Sequence, residues 1–289
     1  MKYKTILACG VVATLGAVTS GNAQPASING TYDSAFGSAL NIQGDATGFG
    51  QTYSELDAGY GLIAGGDLYL FFSGNLQNNG NNINLFFAGA GGQSTLNAAD
   101  TGNQGANDLS DMNGSKFSPG FLATYGFNIN NNGTALTVSQ YNLLNNTAVN
   151  SFGTLTTSGG IVANATVDNS VVVGFNNNNA ASQAANVGAG STGLELAIPL
   201  SLLGNPSGPI EFLIDVNGSS EGYLSNQFLP GLPSGTGNLG GGGTGYGPGG
   251  GIFDFSSTAG EYLVVPEPST LGLSVLSGLA TLVAIRRRK

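Results

Sequence analysis

The side chains best able to do chemistry in this 289-residue sequence are carboxylates, because it contains no histidine. Glu55 and Asp57 lie two positions apart, and Glu211 and Asp215 four apart. In extended chain an even spacing points both side chains to one face. Two carboxyls about 5–9.5 Å apart across a cleft can serve as the acid and base, or acid and nucleophile, of glycoside hydrolysis. The same spacing also arises wherever a strand turns a polar face to water, and that outward face is the simpler expectation for both pairs. A third group, Asp100, Asp108 and Asp111 with Asn103, Asn107 and Asn113, offers the oxygen donors that Ca²⁺ takes. Neither EF-hand spacing nor a glycine-rich nonapeptide repeat accompanies it, so a polar surface loop is expected there. Sugars would be met by aromatic faces and amides. Tyr53, Tyr60, Tyr125, Tyr141, Tyr223 and Tyr246 are available, without any tryptophan.

Composition removes several function classes. Without histidine there is no imidazole-based triad and no His-ligated zinc. Between Gln24 and Val265 stand fifteen carboxylates and a single base, Lys116. Such a surface repels phosphate backbones, so nucleic-acid binding is excluded. It offers no basic patch to anionic lipid either.

Charged residues are only 8% of the chain, and glycine, asparagine, serine and threonine dominate. Short apolar runs between glycine- and asparagine-rich turns nevertheless predict an all-β domain, a two-sheet antiparallel β-sandwich of jelly-roll-like form. One hairpin is expected from Glu55–Ile63 through Gly65-Gly66 to Leu68–Leu76. Its second arm, Leu68–Phe72, reads as a strand buried on both faces. Asn82–Ala88 should pair alongside. A second hairpin runs Leu122–Ile129, turns at Asn131-Asn132-Gly133 and returns through Ala135–Tyr141. Further strands are expected at 151–156, 161–167, 171–175, 193–198, 210–216 and 260–265. Pro199 and Gly204 bracket one short helical turn. The asparagine runs 78–82, 128–132 and 176–179 read as loops, and 235–251 as a glycine-rich flexible loop. Ile252–Phe255 could close a sheet.

Both ends read as processing segments. Residues 1–23 carry two lysines, an apolar run and Gly21-Asn22-Ala23, which predicts a signal peptide cleaved after Ala23. Cys9 would leave with it, and the mature chain would hold no cysteine. The domain expected is 24–265. After it come Pro266-Glu267-Pro268-Ser269-Thr270, an uncharged run 270–285, and the basic cluster Arg286, Arg287, Arg288 and Lys289. The cluster places that end on the cytoplasmic side. A helix over the run would be about 24 Å long, short for a hydrocarbon core of about 30 Å. It therefore suits a temporary transmembrane anchor.

These three elements, in this order, resemble the PEP-CTERM sorting signal. The resemblance implies recognition of Pro266-Glu267-Pro268 by an exosortase, an intramembrane cysteine protease of Gram-negative bacteria that make exopolysaccharide. It also implies a single-pass inner-membrane precursor and a mature form at the cell surface or outside the cell. The hairpin at 55–76, the run 82–88 and Leu194-Glu195-Leu196-Ala197-Ile198-Pro199 resemble sandwiches of the DOMON and family 9 carbohydrate-binding-module type. The binding-site tryptophans of those modules and the haem ligands of haem-binding DOMON domains have no counterpart here. The expected function is a non-enzymatic surface or matrix protein associated with exopolysaccharide and needing no cofactor. A specific carbohydrate-binding module is the alternative, and a carboxylate-dependent glycan hydrolase the alternative of another class.

Overall fold

A computed structural model describes residues 23–49, 54–98, 109–156, 161–167, 170–177, 190–240 and 251–267. The predicted signal peptide up to Asn22, Asp100 and Asp108, the centre of the glycine-rich loop, and the tail from Pro268 lie outside the described residues. The described strands are β1 (Asn41–Ile42), β2 (Glu55–Ala64), β3 (Asp67–Asn75), β4 (Asn81–Gln93), β5 (Ala123–Asn131), β6 (Ala135–Asn142), β7 (Thr147–Thr156), β8 (Ile161–Thr166), β9 (Val172–Asn176), β10 (Gly193–Pro199), β11 (Ile210–Asn217), β12 (Leu224–Leu229) and β13 (Leu263–Val265).

They form two antiparallel sheets. The first has the order β1-β2-β3-β10-β9-β8 and the second β12-β11-β4-β5-β6-β7, with β13 also pairing β11. The all-β, two-sheet expectation is met. Both predicted hairpins form. Gly65 and Gly66 turn the first at φ 62° and 96°, a region costly for residues with a Cβ. The short turn after β10 is a 3-10 helix, Leu200–Leu203, ended by Gly204 in the left-handed conformation.

One pairing differs from expectation. β4 does not join β3 but crosses to the second sheet, between β5 and β11. The free edge of β3 is taken by β10, which zips Leu194, Leu196 and Ile198 against Phe72, Leu70 and Leu68. An apolar ladder from a distant strand outcompetes the neighbour in sequence. Two strands escaped the sequence, β1 and β12.

Three apolar layers hold the sandwich. Between the sheets lie Leu56, Leu70, Phe72, Leu85, Phe87, Phe127, Leu196, Phe212 and Ile214, among others. Phe72 and Phe212 meet across the two sheets with ring centroids 5.8 Å apart. Tyr60, Phe71 and Ala197 form the back of the first sheet, covered by Ile28 and Phe36 from the N-terminal segment. Phe86, Leu213, Tyr141 and Phe228 form the back of the second, covered by Leu109, Met112, Phe117, Phe121, Phe253 and Phe255. Ile252–Phe255 thus covers a sheet rather than closing one. Lys116 bonds Asp254 at 2.8 Å and its N–H reaches the Phe253 carbonyl, joining the two covering segments.

Because both sheets are covered behind, β3 is buried on both faces, as its apolar run predicts. The same covers overturn the expectation of outward carboxylates. Glu55, Asp57 and Asp215 are all at most 3% exposed.

Candidate functional site

Alternation builds a polar ladder that supports one wall of the site. Asn82 and Asn84 on β4, Asn128 and Asn130 on β5, and Asp215 and Asn217 on β11 sit at every second position of their strands, opposite Ile83, Leu85, Ile129, Ile214 and Val216. Register aligns Asn217, Asn82 and Asn130 in one row and Asp215, Asn84 and Asn128 in the next. Within the runs 78–82 and 128–132, read from sequence as loops, Asn81–Asn82 and Asn128–Asn131 are strand, while Asn78–Gly80 is a turn, as expected. Their signal was the strict alternation of asparagine with Ile, Leu and Phe, which is the period of a strand.

This ladder is buried and wired. The Asn84 amide nitrogen donates to Asp215 Oδ1 and to Glu221 Oε2, both at 3.0 Å. The Asn128 nitrogen donates to Glu221 Oε1 at 2.6 Å and to Asn84 Oδ1 at 2.9 Å. The Asn130 nitrogen donates to Asn82 Oδ1 at 2.9 Å. Burial pushes the Asp215 carboxyl up to about 7, against the opposing Asn84 hydrogen bond. Burial also holds Glu221 well above the ordinary glutamate range, with the Asp215 and Asp111 charges adding to the rise.

The ladder fixes a loop. Glu221 ends the 3-10 turn Ser219–Glu221. Asn82 donates to the Gly218 carbonyl at 3.1 Å, and Asn217 Oδ1 accepts the N–H of Gly218 and of Tyr223 at 2.9 and 3.2 Å. Beyond that turn Tyr223 emerges 43% exposed. Its ring centroid lies 5.9 Å from that of Phe49, the planes inclined at 36°.

Phe49 is held by a second set of amides, the buried Asn226 and the half-buried Asn238. Asn226, on β12, accepts the Gly48 N–H at 2.8 Å and donates to the Ala46 and Thr236 carbonyls at 2.8 and 2.9 Å. Asn238 donates to the Gly48 carbonyl at 3.0 Å. Between these walls lies an open groove of about 440 Å³, lined by Gly48, Phe49, Gln77, Asn79, Asn81, Gly218, Tyr223 and Asn238. Aromatic faces with side-chain amides around them suit polyhydroxylated ligands, which need an apolar platform and both donors and acceptors.

The other sequence candidates fall elsewhere. Glu55 is raised to about 8 by burial and by the neighbouring Asp57, against a hydrogen bond from Asn75. Glu211 lines a different cleft, with Ala88, Gly120 and Leu122. Four strand residues separate its Cα from that of Asp215 by about 13 Å, and Asp215 is sealed beneath the cover. Asp111 is exposed on the 3-10 helix Leu109–Met112. Among the described residues no three His, Cys, Asp or Glu side chains gather as metal ligands would. Of the six tyrosines, Tyr53 and Tyr246 lie outside the described residues, and Tyr60 and Tyr141 are buried in core clusters. Tyr125 packs beside Gly204. Ala23, the expected first-cut residue, opens the described chain and is exposed. Not far behind it the Asn29 and Gly30 N–H groups are tied to Glu195 Oε2 at 2.8 and 3.0 Å.

At the other end, Val265 is fully buried and pairs with Ile210, and Pro266 leaves the sheet directly. Residues 264–289 match the PEP-CTERM protein-sorting motif. The PEP-CTERM motif marks the chain for export, for exosortase processing and for a precursor anchored through its C-terminal tail. Its match begins inside β13 and so overlaps the last strand of the described domain. The basic cluster 286–289 and the span 270–285 lie outside the described residues. Neither the curated proteins nor the solved structures contain a significant match to the chain.

Proposed function

We propose that this exported β-sandwich is a non-catalytic surface or matrix protein that binds polysaccharide in the groove beside Tyr223, and so associates with exopolysaccharide. The observation that carries this is the Phe49–Tyr223 pair standing over Gln77, Asn79, Asn81 and Asn238. A sugar ring can lie on Tyr223 while its hydroxyls exchange hydrogen bonds with the amides. The lining contains no carboxylate, which favours binding without hydrolysis. The carboxylate pairs proposed for hydrolysis are buried, or about 13 Å apart along one strand. No metal ion is needed for such recognition.

The test is retention of the full chain, purified in mild detergent, on immobilised polysaccharides. Wild type should be retained over a blank matrix. Tyr223→Ala should weaken retention about tenfold, roughly one aromatic contact, without lowering Tm. Retention equal to the blank, or unchanged by Tyr223→Ala, would refute the proposal.

A further inference from the structure

The lining segments of the groove carry almost no charge in a chain otherwise rich in carboxylates. Residues 46–49, 54, 76–94, 230–240 and 251–253 contain no Asp, Glu, Lys or Arg. The remaining wall, 216–224, contains one, Glu221. Its carboxylate is fully buried and turned down onto Asn84 and Asn128 rather than toward the groove. A ligand in the groove therefore meets amides, backbone and aromatic faces.

We infer that the groove selects neutral polysaccharide and excludes uronic-acid and sulfated polymers. This rests on the polysaccharide-binding proposal and narrows its ligand class.

Two physical terms act together. An anionic sugar entering the groove would lose hydration around its charge, and no cationic side chain in these segments would replace it. The surrounding field is also unfavourable, with fifteen carboxylates against Lys116 between Gln24 and Val265. Lys116 is itself committed to Asp254 at 2.8 Å, on the covering segments behind the second sheet. A neutral polymer meets neither obstacle. Its binding should depend on stacking and hydrogen bonds, which salt screens little.

The full chain in detergent is passed over immobilised neutral polymers (dextran, β-glucan, galactomannan) and acidic ones (alginate, hyaluronan, polygalacturonate), at about 20 mM and 500 mM NaCl, where the Debye length changes several-fold. The expected result is retention on at least one neutral polymer, changing less than twofold with salt and lost with Tyr223→Ala. Acidic polymers should match the blank at both salt concentrations. Asn79→Lys, which sets a cation in the exposed wall, should create retention on acidic polymer at low salt only. Tyr223-dependent retention of wild type on an acidic polymer would overturn the inference while leaving the binding proposal intact. Retention on neither class would overturn both.

Discussion

Asp215 and Glu221 accept hydrogen bonds from one and the same nitrogen, the side-chain amide of Asn84, each at 3.0 Å. Asp215 belongs to the floor of the second sheet and Glu221 to the loop that ends at Tyr223, so this shared donor joins the loop to the sheet. Asp215 Oδ2 is buried with no hydrogen-bond partner among the described residues. Two carboxyls so placed disfavour joint ionisation, since burial and mutual repulsion both penalise charge.

The pH dependence follows with a definite sign. The folded carboxyl of Asp215 titrates near 7, above its value of about 4 in an unfolded chain. Its contribution to stability is therefore complete below about pH 4 and is lost as pH rises through 7. Glu221 shifts the same way, as do Glu195, raised by burial to about 7, and Glu55, raised to about 8. Tm should fall between pH 5 and pH 8. Asp215→Asn keeps the shape and removes one titration, so its Tm should fall less steeply and exceed that of wild type at pH 8. A Tm that rises over this interval would contradict the burial of these acids.

Asn226 makes no contact with a ligand in the groove, being only 3% exposed. It ties the Ala46–Phe49 loop to the Thr236 carbonyl. Asn226→Ala removes four side-chain hydrogen bonds, including one accepted from the buried Gln227, and should cost about 1–3 kcal/mol in denaturant unfolding. Polysaccharide retention should fall as well, because Phe49 loses its support. Retention at the wild-type level would show that Phe49 contributes nothing.

β13 packs closely on the first sheet. A Cβ on Gly61 would lie 2.5 Å from Val265 Cγ2. Gly61→Val must displace either that side chain or its own strand, at about 1–3 kcal/mol. Leu263→Ala opens space in the same layer and should cost about 2–5 kcal/mol. Urea unfolding measures both. Negligible effects would mean that the chain ahead of the sorting motif is held loosely.

Sorting can be read from the size of the chain in each cell fraction. Replacing Glu267 with Ala, or deleting Arg286–Lys289, should leave full-length precursor in the membrane fraction. Wild type should appear shortened outside it. Mass spectrometry of the wild-type C-terminus gives the product directly, and an intact tail on surface protein would refute processing.

How much was legible from the sequence varied with the range of the interactions involved. Strand positions could be read wherever apolar and polar residues alternate or run together, as at Leu68–Phe72 and Phe127–Ile129. Turns could be read where glycine supplies positive φ, as at Gly65-Gly66. β12 was missed because Ser225, Asn226 and Gln227 look like loop residues. They are strand residues only because other segments lie over them and use their amides. The asparagine ladder was missed similarly. Its alternation was present, but polar residues at every second position normally signal a wet face.

By itself the sequence determined local and compositional properties: an all-β chain, two hairpins, a surface poor in bases, and a C-terminal sorting signal. These depend on short-range periodicity, on charge and on contiguous motifs. The tertiary structure alone decided which residues are sealed and which meet solvent. Glu55, Asp57 and Asp215, which the sequence would turn outward, are buried because distant segments cover both sheets. Tyr223, one of six tyrosines the sequence offered as candidates, is exposed in a groove because Glu221 is held against the sheet by Asn84 and Asn128. Burial is a property of what comes to lie on top, and those segments come from elsewhere in the chain: Ile28 and Phe36 on the first sheet, Leu109, Met112 and Phe253 on the second.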